Sequence, residues 1–155
     1  MKRKRFLIAS IVSFAIAGLL LCVFIATSHA AGTVTQVLTP NNRTGVHKLV
    51  FAYVADSGGG SVPATASNAP IDGYVFLVTT NPGTTAPTAN YDITLTDADG
   101  VDIMAGDLAD RSATVSEQED AAYGSRYVEG ILTLTITNNS VNSAVGTVNV
   151  YYYDK

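Results

Sequence analysis

The chain has 155 residues, a formal charge of −4, no tryptophan and one cysteine, Cys22. Its first thirty residues hold four of the nine Lys and Arg and none of the thirteen Asp and Glu, so residues 31–155 carry a formal charge of −8. So acidic a surface repels phosphate backbones and anionic lipid faces, which argues against nucleic-acid or peripheral lipid binding. With Cys22 in the leading segment, disulfides, thiolate nucleophiles and Cys-ligated metals are excluded from the rest.

The leading segment reads as an export signal. Lys2, Arg3, Lys4 and Arg5 form a basic start, Phe6 to Thr27 an apolar stretch expected to be helical, and Ser28-His29-Ala30 a small-residue end that suits signal-peptidase cleavage between Ala30 and Ala31. The apolar stretch exceeds the roughly 7–15 residues of an ordinary signal core and, at about 1.5 Å per residue, is long enough to span a bilayer, so an uncleaved anchor is the second reading. In both, the basic end stays cytoplasmic and the acidic part is delivered outside: secreted, periplasmic or on the cell surface. Membrane contact then runs only through residues 6–27, if they are kept. Lipidation at Cys22 fits poorly, because Leu19, Leu20 and Leu21 precede it where small residues are wanted. The organisation is 1–30 as signal peptide or anchor and 31–155 as one domain, long enough to bury a core without covalent staples.

After Ala31 the chain breaks into short segments rich in Val, Ile, Thr and Tyr between clusters of Gly, Pro, Asn and Asp, which is the punctuation of strands. About seven are expected: Thr33–Leu38, Val46–Ala55, Gly73–Thr79, Tyr91–Thr96, Val101–Met104, Val128–Thr137 and Val145–Tyr153. Tyr91, Ile93 and Leu95 alternate with polar residues, as do Leu132, Leu134 and Ile136 with threonines, so one face is buried and one wet. Half-buried strands suit antiparallel sheets. The expected fold is an all-β antiparallel sandwich with Greek-key or jelly-roll connections. Ser57 to Pro70 and Asn81 to Pro87 read as exposed loops, the first mobile, with almost nothing to bury. Asp97-Ala98-Asp99-Gly100 reads as a tight hairpin turn, Asn138-Asn139-Ser140 begins another turn, and Ala105 to Ala122 is a long polar crossover with a helical turn capped at Ser116.

Few residues carry chemistry. Asp97, Asp99 and Asp102, with Asp107 and Asp110 nearby, offer hard oxygen ligands at short spacing and are the candidate calcium site, although Val101 and Leu108 stand where an EF-hand loop needs ligands. The plainer reading is a turn and a solvated acidic loop. His47, the only histidine after residue 30, sits inside an expected strand without a second histidine or a nucleophile elbow, so it reads as structural. Carboxylate pairs could serve a glycosidase, but no aromatic platform is evident beside the acidic loop. In Tyr151-Tyr152-Tyr153, strand alternation sends Tyr152 with Val148 and Val150 to one face and Tyr151 and Tyr153 to the other. Asn42-Arg43-Thr44 and Asn138-Asn139-Ser140 match N-glycosylation acceptors in a host that glycosylates. Neither catalytic residues nor a cofactor is expected.

Three stretches carry a family likeness: Ala31-Gly32-Thr33-Val34-Thr35-Gln36; Pro87 through the acidic turn to Ile103; and Gly130 to Asn138 followed by Gly146-Thr147-Val148. Together they make the chain resemble the small β-rich proteins encoded among the structural genes of tailed bacteriophages and prophages. The resemblance implies a virion-associated or surface-exposed structural module without catalytic residues. The export leader points instead to an exported relative on a cell surface or in an extracellular assembly. The expected function is a non-catalytic module that associates with copies of itself or another surface protein. The alternative is a carbohydrate- or calcium-dependent adhesin using the loops around Asp97–Asp110 and the exposed tyrosines.

Overall fold

Nine strands account for the regular structure of the computed structural model, which describes residues 29–121 and 124–155. The expected apolar leader helix and Cys22 lie outside the described residues. The strands are β1 (Thr33–Thr39), β2 (Val46–Val54), β3 (Thr65–Ala66), β4 (Ile71–Pro82), β5 (Asp92–Thr96), β6 (Glu117–Asp120), β7 (Arg126–Gly130), β8 (Thr133–Thr137) and β9 (Val145–Asp154). All pairings are antiparallel. One sheet runs β1-β2-β9-β4, with β7 and β6 end to end along the far edge of β4; the other runs β3-β8-β5.

Alternation places the core. Leu49, Phe51 and Tyr53 of β2, Val148, Val150 and Tyr152 of β9, Ile93 and Leu95 of β5, and Leu134 and Ile136 of β8 point inward and join one buried cluster fed by both sheets. Tyr151 and Tyr153 face the other way from Tyr152, as alternation requires. Strand β4 breaks its own alternation at a bulge: Val75 lies opposite Tyr152 and Leu77 opposite Tyr151, leaving Phe76 as the extra residue. The bulge turns both Phe76 and Leu77 away from the core and lets Val75 and Val78 both be fully buried. At the same point the partner along the other edge changes from β7 to β6, and the Phe76 carbonyl accepts the Ala121 N–H at 2.9 Å.

Five expectations are corrected. Val101–Met104 is not a strand: only Asp102 bridges to Thr96, because the Asp102 carboxylate accepts the Met104 and Gly106 N–H groups and curls the chain into turns. Its apolar residues serve as a plug instead, with Ile103, Met104 and Leu108 all buried. Val128–Thr137 is two strands in different sheets, since Gly130 sits at φ 103°, a conformation that side-chain-bearing residues rarely adopt, and the chain crosses there from β7 to β8.

The Ser57–Pro70 segment is pinned, with Val62 and Ser67 buried and β3 paired to β8. The Ser116 helical turn is absent, because Glu117–Asp120 pairs with β4 as β6. The second loop is also shorter than expected, as β4 continues through Pro82.

Candidate interaction surface and the placement of the acidic residues

Two of the carboxylates expected to hold a cation, Asp97 and Asp102, accept backbone N–H groups. Asp97 accepts the Asp99 and Val101 N–H groups at 3.0 and 2.9 Å, which closes the turn between β5 and the Ile103 plug. Asp102 accepts from Met104 at 3.1 Å and Gly106 at 2.9 Å. The side chains of Asp99, Asp107 and Asp110 are exposed. Among the described residues no three His, Cys, Asp or Glu side chains come together in a group able to hold a metal ion.

Other polar groups, which the sequence alone did not single out, tie the loops to one another. The Asp56 carboxylate accepts the backbone N–H groups of Gly58, Gly59, Gly60 and Ser61 and the Ser61 hydroxyl. The Ser61 hydroxyl and the glycine amides hold its pKa far below the usual carboxylate range. The available signal was Asp56 followed at once by Ser and three glycines, a run whose amides can converge on one anion. Asn139 links three segments: its Oδ1 accepts the Thr88 N–H at 2.9 Å and its Nδ2 donates to the Gly60 carbonyl at 2.6 Å, beside its own turn. Arg111 is 7 % exposed, with Nη1 2.9 Å from Glu119 and Nε donating to the Ala109 carbonyl at 3.0 Å. Glu117, 3.9 Å from Arg111 Nε, also accepts the Ser112 N–H. Together these contacts neutralise the buried guanidinium and fasten the crossover to β6.

The remaining sequence candidates fall separately. His47, buried in β2, places Nε2 3.0 Å from Asp154 and its ring 5.1 Å from Tyr152. Asn42 is exposed beside β1, whereas the Asn138 amide donates to Asp92. Ala30 exchanges two hydrogen bonds with Ser57, N–H to hydroxyl at 2.8 Å and carbonyl from N–H at 3.0 Å, while Ala31 is exposed.

The face of the larger sheet turned away from the core gathers aromatic side chains from three strands, β9, β4 and β7. Register sets Val46, Tyr153, Tyr74 and Tyr127 in one row. Tyr74 lies 5.4 Å from Tyr153 and 5.3 Å from Tyr127, and Phe76, put on this face by the bulge, packs 6.0 Å from Tyr153. Lys48 and Lys155 cap the group, their ammonium groups 5.6 Å from the Tyr151 ring and 5.7 Å from the Tyr127 ring. Asp72 accepts from the Tyr127 hydroxyl at 2.8 Å and pairs with Lys155 at 3.1 Å, which lowers its pKa; the same bond to Asp72 raises that of Tyr127.

Searches with the sequence find no matching family model and no matching curated protein. Among solved structures, the chain is similar to one from the Cyanophage Pam1 capsid asymmetric unit, with 20 % identity over 85 % of this chain and 93 % of that one, at a TM-score of 0.44.

Proposed function

We propose that this chain is an exported, non-catalytic structural module: a β-sandwich, its connections of the Greek-key or jelly-roll kind, that works by packing against copies of itself or another protein in a cell-surface or virion assembly. The observation that carries this reading is the use made of the acidic side chains. Asp56, Asp97 and Asp102 brace turns through backbone N–H groups, and Glu117 and Glu119 hold Arg111, so charge that an enzyme would gather in a cleft is distributed to stiffen loops. Rigid loops on an all-β body favour a scaffold. The leader would deliver it to the outside, free or tethered through residues 6–27.

Expression of the full chain in a bacterial host, followed by fractionation, intact mass and light scattering, tests both halves of the proposal. An extracytoplasmic product of defined multimeric mass supports it, and a cytoplasmic or monomeric one counts against it. Binding of carbohydrate is a second reading, favoured by the aromatic row, because sugar rings stack on exposed tyrosine faces and hydrogen-bond to their tips. A rise in melting temperature on adding glycans, or on adding calcium for a cation-dependent adhesin, would move weight to it.

A further inference from the structure

Resting on the self-association reading, we propose that the contact is the free edge of β1, which adds antiparallel to β1 of a second copy about a two-fold axis through Gln36. Alternate N–H and C=O groups of an edge strand point away from the sheet and need partners. The described edges differ in how they meet that need. The outer edge of β5 is covered by the following segment, Leu108 accepting the Ile93 N–H at 2.9 Å and Ile103 donating to the Leu95 carbonyl at 2.8 Å. Strand β3 is two residues long. Strands β6 and β7 carry Glu117, Glu119, Asp120, Arg126 and Glu129.

Strand β1, Thr-Val-Thr-Gln-Val-Leu-Thr, has neither charge nor proline and pairs with β2 over all seven residues in unbroken register. Among the described residues, none of the devices that protect an edge is present there. Between identical acidic bodies, a neutral edge is also where two copies approach with least repulsion. Apolar exposure concentrates at the same place: Val37 is 60 % exposed, Leu38 43 %, and Val54, opposite Thr33, 42 %. Concavities lie to either side of the strand: a notch of about 50 Å³ by Leu38, Leu49 and Ile71, and an open depression of about 400 Å³ by Thr33, Thr35 and Val54.

Geometry restricts the register. A two-fold axis normal to the sheet keeps the core-facing side of both copies on one side, so only residues of equal parity face each other. Full overlap of Thr33–Thr39, bounded by Gly32 and Pro40, centres the axis on Gln36. Val37 then faces Thr35 of the partner subunit, and Leu38 faces Val34 of the partner subunit. Gln36 is already held by its own copy, donating to the Ala66 carbonyl at 2.7 Å and accepting the Asn68 N–H at 2.8 Å, so the strand meets its partner preorganised.

The test uses the full chain with Cys22→Ser as background, purified as the host delivers it. Light scattering over a concentration series should give a dimer or larger species. Val37→Lys should weaken it at least about tenfold, whereas Val115→Lys, at an equally exposed loop position, should not. Under mild oxidation a mixture of Thr35→Cys and Val37→Cys chains should form a cross-linked pair that neither forms alone. Multimers that withstand Val37→Lys and give no cross-link would overturn the β1 assignment while leaving self-association standing. A background protein that stays monomeric throughout would overturn both.

Discussion

Tyr53 offers the sharpest test of the packing. It is 2 % exposed, and its hydroxyl has no hydrogen-bond partner among the described residues. Burial pushes the phenol pKa up, and the nearby Tyr91 phenol adds to the rise without completing a hydrogen bond to it. The ring tip lies over Gly146, its partner in the core-facing row, where a Cβ would overlap it. A buried hydroxyl left unpaired costs about 1–3 kcal/mol relative to water, and Phe fills the same space without it. Tyr53→Phe should therefore stabilise the fold by about 1 kcal/mol, the lower end because the ring already makes the same apolar contacts. For a domain of this size that raises the melting temperature by roughly 3–5 °C. Thermal unfolding followed by circular dichroism, with urea unfolding as a cross-check, measures it. A loss of 1 kcal/mol or more would refute the reasoning, because the hydroxyl would then be bonded in solution, to Tyr91 or to a trapped water.

Three further outcomes follow from the same packing. Leu134→Ala empties a fully buried position of β8, in register with Leu95 of β5 and Thr65 of β3, and should cost about 2–5 kcal/mol, read as a lower urea midpoint with unchanged slope. Asp56 has a depressed folded pKa, so its contribution is present above the ordinary carboxylate pKa of 3.8 and fades as pH falls below it. Asp56→Asn should therefore flatten the fall in melting temperature between about pH 5 and pH 2 relative to the parent protein. Gln36→Ala removes both bonds from β1 to the β3 segment and should cost about 1 kcal/mol, with faster hydrogen exchange at Asn68 as its local signature.

What was legible in the sequence depended on the range of the interaction that decides each feature. Strands β2, β5 and β9, and the β8 part of the expected Val128–Thr137 strand, were readable because period-two alternation is a local pattern, and the buried sets Tyr91-Ile93-Leu95 and Leu132-Leu134-Ile136 follow it without interruption. Strand β4 was read through its bulge, from Gly73 to Thr79, but cut short at both ends, where Ile71-Asp72 and Thr80-Asn81-Pro82 are strand because β7 and β9 pair with them. Strand β6 was read as crossover because Glu117, Gln118, Glu119 and Asp120 carry no apolar period. They form a strand because Arg111 neutralises Glu119 and β4 presents an edge, both of which are tertiary facts.

The acidic residues illustrate the same limit on the side of function. Asp97, Asp99 and Asp102 have the density of a cation site, and sequence spacing does not say which of their lone pairs face nearby amides. At Asp97 and Asp102 the nearest donors are amides two to four residues on, reached within a turn and without ordering any distant segment. At Asp56 the same economy holds through three consecutive glycines, whose amides approach unobstructed by side chains. Beside the Lys155–Asp72 and His47–Asp154 pairs, longer-range ties run through neutral amides, Asn139 and Gln36, each of which donates and accepts at once and so joins segments that carry no complementary charge. An acidic chain with only five Lys and Arg beyond residue 30 has few cations with which to join distant segments, so amides share that role. Among the described residues that division of labour leaves the uncharged strand β1 as a long edge with unspent backbone groups, and it is there that a second molecule has most to gain by docking.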